Sequence, residues 1–304
     1  MKIGSSQKAY INYLKMKKNY KLKKSSSGYF YIHPSPNKEY LDKYYKNKYF
    51  KKNLSYKDNL KFIKKKNLKI NALVKIFMIK IIVKKLNKYK ILDLGAGTGN
   101  FLSNIKKYFK SHLGVDFSKK NIKKSSYKKI NFLEESPESF VERKLNVFNL
   151  ITLNNVLEHV PDPNNFMKNL HKNTSKNTLF LITIPNDFSK LQTVTGKKVK
   201  KKYWLAPPEH LNYFNKDNFK NFAKKRGFKI LDAISDFPIE LFLLKKEFNY
   251  TNNKNVGKNI HLLRCEIISY IAKENKIEDL YKFYKFFYEL NIGRDMTYLL
   301  KKVN

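Results

Sequence analysis

Residues 91–99 read Ile-Leu-Asp-Leu-Gly-Ala-Gly-Thr-Gly, and no other stretch constrains the fold as much. A short apolar run ends in an acid, and glycines follow at 95, 97 and 99. That pattern predicts a buried strand running into a tight loop that opens a helix. Glycine suits such a loop because the backbone turns sharply there and a ligand must approach it closely. The spacing is Gly-x-Gly-x-Gly, which differs from the Gly-x-Gly-x-x-Gly of a dinucleotide site. The next helix is expected to start at Thr98 or Gly99 and to carry Phe101, Leu102, Ile105 and Phe109 on one face. His112-Leu-Gly-Val-Asp116 then reads as a second short strand ending in an acid. A carboxylate in that place can accept hydrogen bonds from both ribose hydroxyls of a nucleoside.

These residues resemble the first motif of the class I S-adenosylmethionine-dependent methyltransferases, over roughly Lys88 to Asp236. The resemblance implies a doubly wound, mostly parallel seven-stranded sheet of Rossmann-like type, with S-adenosylmethionine as cofactor. It implies that Asp93, Gly95, Ala96, Gly97 and Gly99 border the methionine part. Asp116, with Phe117 beside it, is implied to hold the ribose. The family also places an acid or amide after the third strand, near the adenine. Ile130-Asn-Phe-Leu-Glu-Glu-Ser136 offers Glu134 or Glu135, and the sequence does not choose between them.

A second segment, Leu153-Asn-Asn-Val-Leu-Glu-His-Val-Pro-Asp-Pro163, resembles one in small-molecule and quinone-precursor methyltransferases. By that resemblance Asn154 and Asn155 contact the cofactor, and Glu158 and His159 lie near the reaction centre. Some of those relatives hold a divalent metal with acids and the histidine. Asn155 here replaces an acid, and an amide is a poorer ligand for a hard cation, so no metal is expected. A third segment, Tyr203-Trp-Leu-Ala-Pro-Pro-Glu-His-Leu-Asn-Tyr-Phe214, has the composition of a binding loop. His210 is expected to be the general base, with Trp204 and Tyr213 shaping the acceptor pocket. Imidazole titrates near neutrality, which suits proton transfer from a hydroxyl.

Charge allows a competing reading. The chain of 304 residues has a formal charge of +40. Such a charge attracts polyanions without specificity and allows peripheral contact with an anionic membrane. Yet the only arginines are Arg143, Arg226, Arg264 and Arg294, and almost all other positive charge is lysine. Nucleic-acid readout recruits arginine for bidentate contacts, so the lysine excess reads first as coding bias. RNA methylation is the runner-up function, and a non-catalytic S-adenosylmethionine-binding protein the third. A lone Cys265 excludes an internal disulfide and fits a reducing compartment, the cytoplasm. The run from Ile70 to Val83 is too short and too charged to cross a bilayer.

Three regions are expected: a basic arm and helical extension over 1–85, the cofactor-binding core over 86–247, and a helical cap over 248–304. The arm is read as weakly helical or disordered over its first 25 or so residues. Glu240–Lys245 is the candidate for the last strand, paired with Phe228–Asp232. An aromatic stripe of Tyr281, Tyr284 and Phe287 is expected to pack into the core. The acceptor implied by the resemblance is a small molecule or glycan precursor, methylated at oxygen. Gly293-Arg294 is noted as a pair able to meet a phosphate or sugar-nucleotide group, with a simple helix break as the preferred reading.

Overall fold

The computed structural model describes residues 20–44, 58–125 and 129–303. The parts of the expected arm before residue 20, and Tyr45 to Lys57, lie outside the described residues.

The central sheet has seven strands. Six run in one direction: β3 (Lys90–Leu94), β4 (Ser111–Asp116), β5 (Phe132–Glu134), β6 (Leu150–Asn154), β7 (Leu179–Pro185) and β9 (Phe228–Ser235). One, β10 (Asp295–Lys302), is antiparallel to both of its neighbours. The spatial order is β5-β4-β3-β6-β7-β10-β9. The chain reverses direction across the sheet between β3 and β6. A ligand crevice forms at such a switch point, outside the carboxyl ends of the strands.

Alternation along each strand separates two cores. Leu92 and Leu94 pack with Phe166, Met167 and Phe219, from α6 (Pro163–Asn173) and α8 (Lys216–Lys225). Ile91 faces the other way, onto Ile76, Met78 and Ile79 of α2 (Asp58–Ile82) and Leu102 of α3 (Asn100–Ile105). β7 is buried at every position, as expected of a central strand covered on both faces. Asp162, Ser189 and Asn215 cap their helices with side-chain oxygens that accept from the third residue onward.

Three expectations are corrected. Lys21–Lys24 is a strand, β1, paired with β2 (Phe30–His33), rather than a helical or disordered arm. β2 in turn pairs with β8 (Asn212–Tyr213), matching Phe30 to Tyr213. The segment ahead of the core is therefore tied to the loop that carries Trp204 and His210. Glu240–Lys245 is not the last strand, because Ile239–Leu244 is a 3-10 helix. Glu240 turns inward there and accepts from Arg294. The last strand is β10, between β7 and β9. The expected cap thus consists of α9 (Lys254–Glu274) and α10 (Ile277–Leu290), followed by a strand that completes the sheet. Both helices are inserted between β9 and β10. The stripe on α10 behaves as expected, with Tyr284 and Phe287 buried against α2.

Candidate functional site

A cleft of about 1310 Å³ opens at the carboxyl ends of the parallel strands. One end is built from the glycine loop. Gly95 has φ +67°, and a Cβ there would sit 2.6 Å from Val156 Cγ2. Gly97 has φ +55° with open space where its side chain would be, so bare backbone faces the cleft. Asp116, at the end of β4, ties the loop down. Its Oδ2 accepts from the Gly97 amide at 2.8 Å, and its Oδ1 accepts from the Ser118 amide at 2.9 Å. Oδ1 also accepts from Asn121 Nδ2 at 3.3 Å, so Oδ2 is the oxygen that keeps acceptor capacity for a further donor. Burial pushes this carboxyl up, while those backbone bonds pull it back.

Asp93 sits beneath the loop. Its Oδ1 accepts from Thr152 Oγ1 at 2.5 Å and from Asn154 Nδ2 at 3.2 Å. Burial raises it to about 6 despite both bonds. Ala96, Phe117, Asn154 and Asn155 all line the cleft, as do Ser136 to Ser139 after β5. Asn155 takes a left-handed backbone, φ +55°, which amide side chains tolerate. Glu134 and Glu135 do not line the cleft. Glu134 lies near Lys119 and Glu135 pairs with Arg143 at 2.6 Å.

His159 lines the wall next to Asn155. Its Nδ1 lies 2.6 Å from the Glu209 carbonyl oxygen. A carbonyl only accepts, so Nδ1 carries the proton and the lone pair of the neutral ring is on Nε2. Burial lowers its pKa, which keeps the ring neutral. The other expected residues of this wall lie deeper. His210 packs edge-on behind His159, with ring centroids 5.0 Å apart, and does not line the cleft. Burial drives its pKa down to about 3. Tyr213 is fully buried and donates its hydroxyl to the His210 carbonyl. Trp204 is buried against Phe188 and Gly196. Glu158 is buried too, with both carboxylate oxygens lacking a partner of good geometry, and burial raises its pKa well above the ordinary value. Glu158, His159 and His210 place one ligand atom each within 4.8 Å of one another.

Sequence reasoning missed the other half of the cleft. Lys75 reaches in from α2, donating to Asn154 Oδ1 at 2.8 Å and Thr183 Oγ1 at 2.7 Å. It forms no ion pair among the described residues, and burial lowers its pKa to about 8. Beyond it the lining comes from Asn67 and Asn71 of α2, Asp236, Arg264 of α9, Tyr284 and Asp295. The Tyr284 hydroxyl donates to Asn71 Oδ1 at 2.7 Å, joining α10 to α2. Arg264 lies 3.5 Å from Asp236. Lys75 interrupting the apolar run Ile70 to Val83 was the one available signal: a charge on the buried face of an amphipathic helix.

Residues 48–233 match the family model of a methyltransferase domain, and the chain belongs to that family. The ubiquinone biosynthesis O-methyltransferase of Pelagibacter ubique (strain HTCC1062) is 28% identical over 199 residues, covering 63% of this chain and 73% of that protein. The enzyme of the same name from Coxiella burnetii (strain Dugway 5J108-111) is 28% identical over 180 residues, covering 55% and 74%. A SAM dependent methyltransferase from Archaeoglobus fulgidus has a TM-score of 0.47 at 18% identity, covering 76% of this chain and 93% of that one. An S-adenosylmethionine dependent methyltransferase from Mesorhizobium loti has a TM-score of 0.48 at 13% identity, covering 77% and 100%. The chain is an S-adenosylmethionine-dependent methyltransferase. No helix among the described residues is long and apolar enough to cross a membrane.

Proposed function

We propose that this enzyme methylates a hydroxyl of a small, polar acceptor, with sugar precursors among the candidates. The observation that carries the reading is the continuity of the cleft. It runs from the glycine loop, past His159, into a polar end lined by Asn67, Asn71, Asp236 and Arg264. The relatives named as O-methyltransferases support oxygen as the methylated atom.

S-adenosylmethionine supplies a methyl group already activated on a sulfonium, so the protein mainly has to align donor and acceptor. In this reading Asp116 holds the ribose and Gly97 presents its backbone without steric obstruction. Asp93, Asn154 and Asn155 fix the loop and the methionine side. Lys75 meets the methionine carboxylate, because this buried ammonium bonds only to neutral oxygens and the acids that face it form no direct ion pair with it. His159 takes the acceptor proton on Nε2 as the oxygen attacks. His210, Tyr213 and Trp204 hold the His159 wall from behind, and Glu134 and Glu135, which stand outside the cleft lining, take no part.

One observation favours a second reading of the same wall. The orphaned oxygens of Glu158 and the orphaned Nδ1 of His210 suit a divalent cation shared with His159. Such an ion would acidify the acceptor hydroxyl.

The test is transfer of radiolabelled methyl from S-adenosylmethionine into a fractionated cell extract at physiological salt. Label in the small-molecule fraction is expected. His159→Ala should lower it by about 10²-fold or more, the usual worth of a general base, and His210→Ala by less. Label confined to RNA, persisting as salt is raised, would overturn the acceptor assignment. Equal losses in the two variants, restored by added divalent metal, would favour the cation.

A further inference from the structure

A second chamber of about 430 Å³ adjoins the far end of the cleft. It is built largely by the segment between β9 and β10, beyond the residues that match the family model. Arg264, Arg294, Lys201, Tyr203, Tyr250 and His261 are among the residues that line it. His261, Arg264 and Asp295 line both spaces, so the two chambers share a wall. We propose that this chamber is a subsite for a phosphate group carried by the acceptor. The inference rests on the reading of the cleft as the methyl-transfer site.

The chamber is rich in donors that the protein does not satisfy. Arg264 is largely buried, with 13% of its side chain exposed, and its Nε has no hydrogen-bond partner. The Tyr250 hydroxyl is buried and equally unpartnered. Leaving such groups unmet is costly, so their persistence points to a ligand. Arg294 spends one N–H on Glu240 Oε1 at 2.7 Å, and Lys201 spends one on the Thr251 carbonyl at 3.3 Å. Only one carboxylate, that of Asp295, lines the chamber. Nearby, Asp236 is held by the Asp295 amide and by Arg264. Burial raises both Asp236 and Asp295, against the pull of the guanidiniums beside them.

A surplus of cationic donors selects the ligand. A phosphate offers three acceptor oxygens and close to two negative charges. A carboxylate would leave donors unmet, and a neutral polyol would bring donors of its own. The composition adds an independent argument. Lysine is this chain's default cation, yet two of its four arginines meet at this one chamber. Guanidinium is the group whose planar fork matches phosphate in bidentate fashion.

The test titrates protein loaded with S-adenosylhomocysteine with inorganic phosphate, and separately with acetate, at fixed ionic strength. The variant Lys201→Ala/Tyr250→Phe removes chamber donors that pair with no buried acid. Lys172→Ala removes an exposed cation beside the far end of β10, at the opposite end of that strand from Asp295. The double variant should weaken phosphate by about tenfold, the worth of one charge-assisted hydrogen bond. Acetate should bind weakly throughout, and Lys172→Ala should behave as the parent. Equal phosphate affinity in the double variant and the parent, or an equal loss in Lys172→Ala, would overturn the proposal and leave only attraction to a basic surface. Failure of every protein to bind S-adenosylhomocysteine would instead remove the cleft reading beneath it.

Discussion

The two ends of the cleft are built in opposite ways. The end at the glycine loop is local in sequence: Asp93, Gly95, Gly97 and Asp116 belong to consecutive elements, and one parallel register, Asp93 beside Gly114, sets them side by side. The far end is assembled from Asn67, Asn71 and Lys75 before the core, and from Asp236, Arg264, Tyr284 and Asp295 after it. Chemistry common to a family can reside in a contiguous motif. On the proposed reading, acceptor choice sits on parts joined only by folding, which is where sequence can vary without disturbing the cofactor.

That contrast can be broken at the loop first. Gly95→Val should have the largest effect. Its backbone is left-handed and its side chain would overlap Val156, so a loss of about 2–4 kcal/mol is expected. A denaturant melt measures it, and an unchanged midpoint would refute the packing argument. Asp116→Ala comes next. Losing charge-assisted bonds to the ribose should cost about 2–3 kcal/mol of S-adenosylhomocysteine affinity, while phosphate binding at the far chamber stays as it was.

Lys75 stands between the two ends, and its titration sharpens the comparison. Its folded pKa of about 8 lies below its ordinary value, so between that point and about 10.5 the unfolded chain binds more protons. Stability should therefore rise with pH across that window, and Lys75→Met should flatten the rise. Asp93, Asp236 and Asp295 face this lysine and limit its shift. A ligand carboxylate would raise its pKa again. Binding of S-adenosylhomocysteine at about pH 9 should therefore take up protons in the parent and not in Lys75→Met, which calorimetry in two buffers reads directly. The smallest effect belongs to Tyr284→Phe. Losing one bond to Asn71 should cost about 1 kcal/mol of stability with no change in cofactor affinity.

Local pattern carried the sequence reading as far as local pattern reaches. The loop and the second acid were legible from periodicity and spacing, and the Asn154 to His159 segment from its resemblance to small-molecule methyltransferases. The far end was not, since nothing in residues 64–75 announces which later helix will cover them. β10 was hidden because its apolar stretch, Met296 to Leu300, follows two helices and pairs back to strands far earlier in the chain. Trp204 and His210 were legible as unusual residues but not by location. Aromatic and imidazole side chains in a loop look alike in sequence whether they line a pocket or support it, and here β2 pairs with β8 and draws that loop inward.

Hydrogen exchange with and without S-adenosylhomocysteine tests the two-ended cleft most directly. The account predicts added protection at residues 93–99, 116–118, 136–139 and 154–160, with residues 254–275 unchanged. Protection confined to 236–295, or none at the glycine loop, would contradict it.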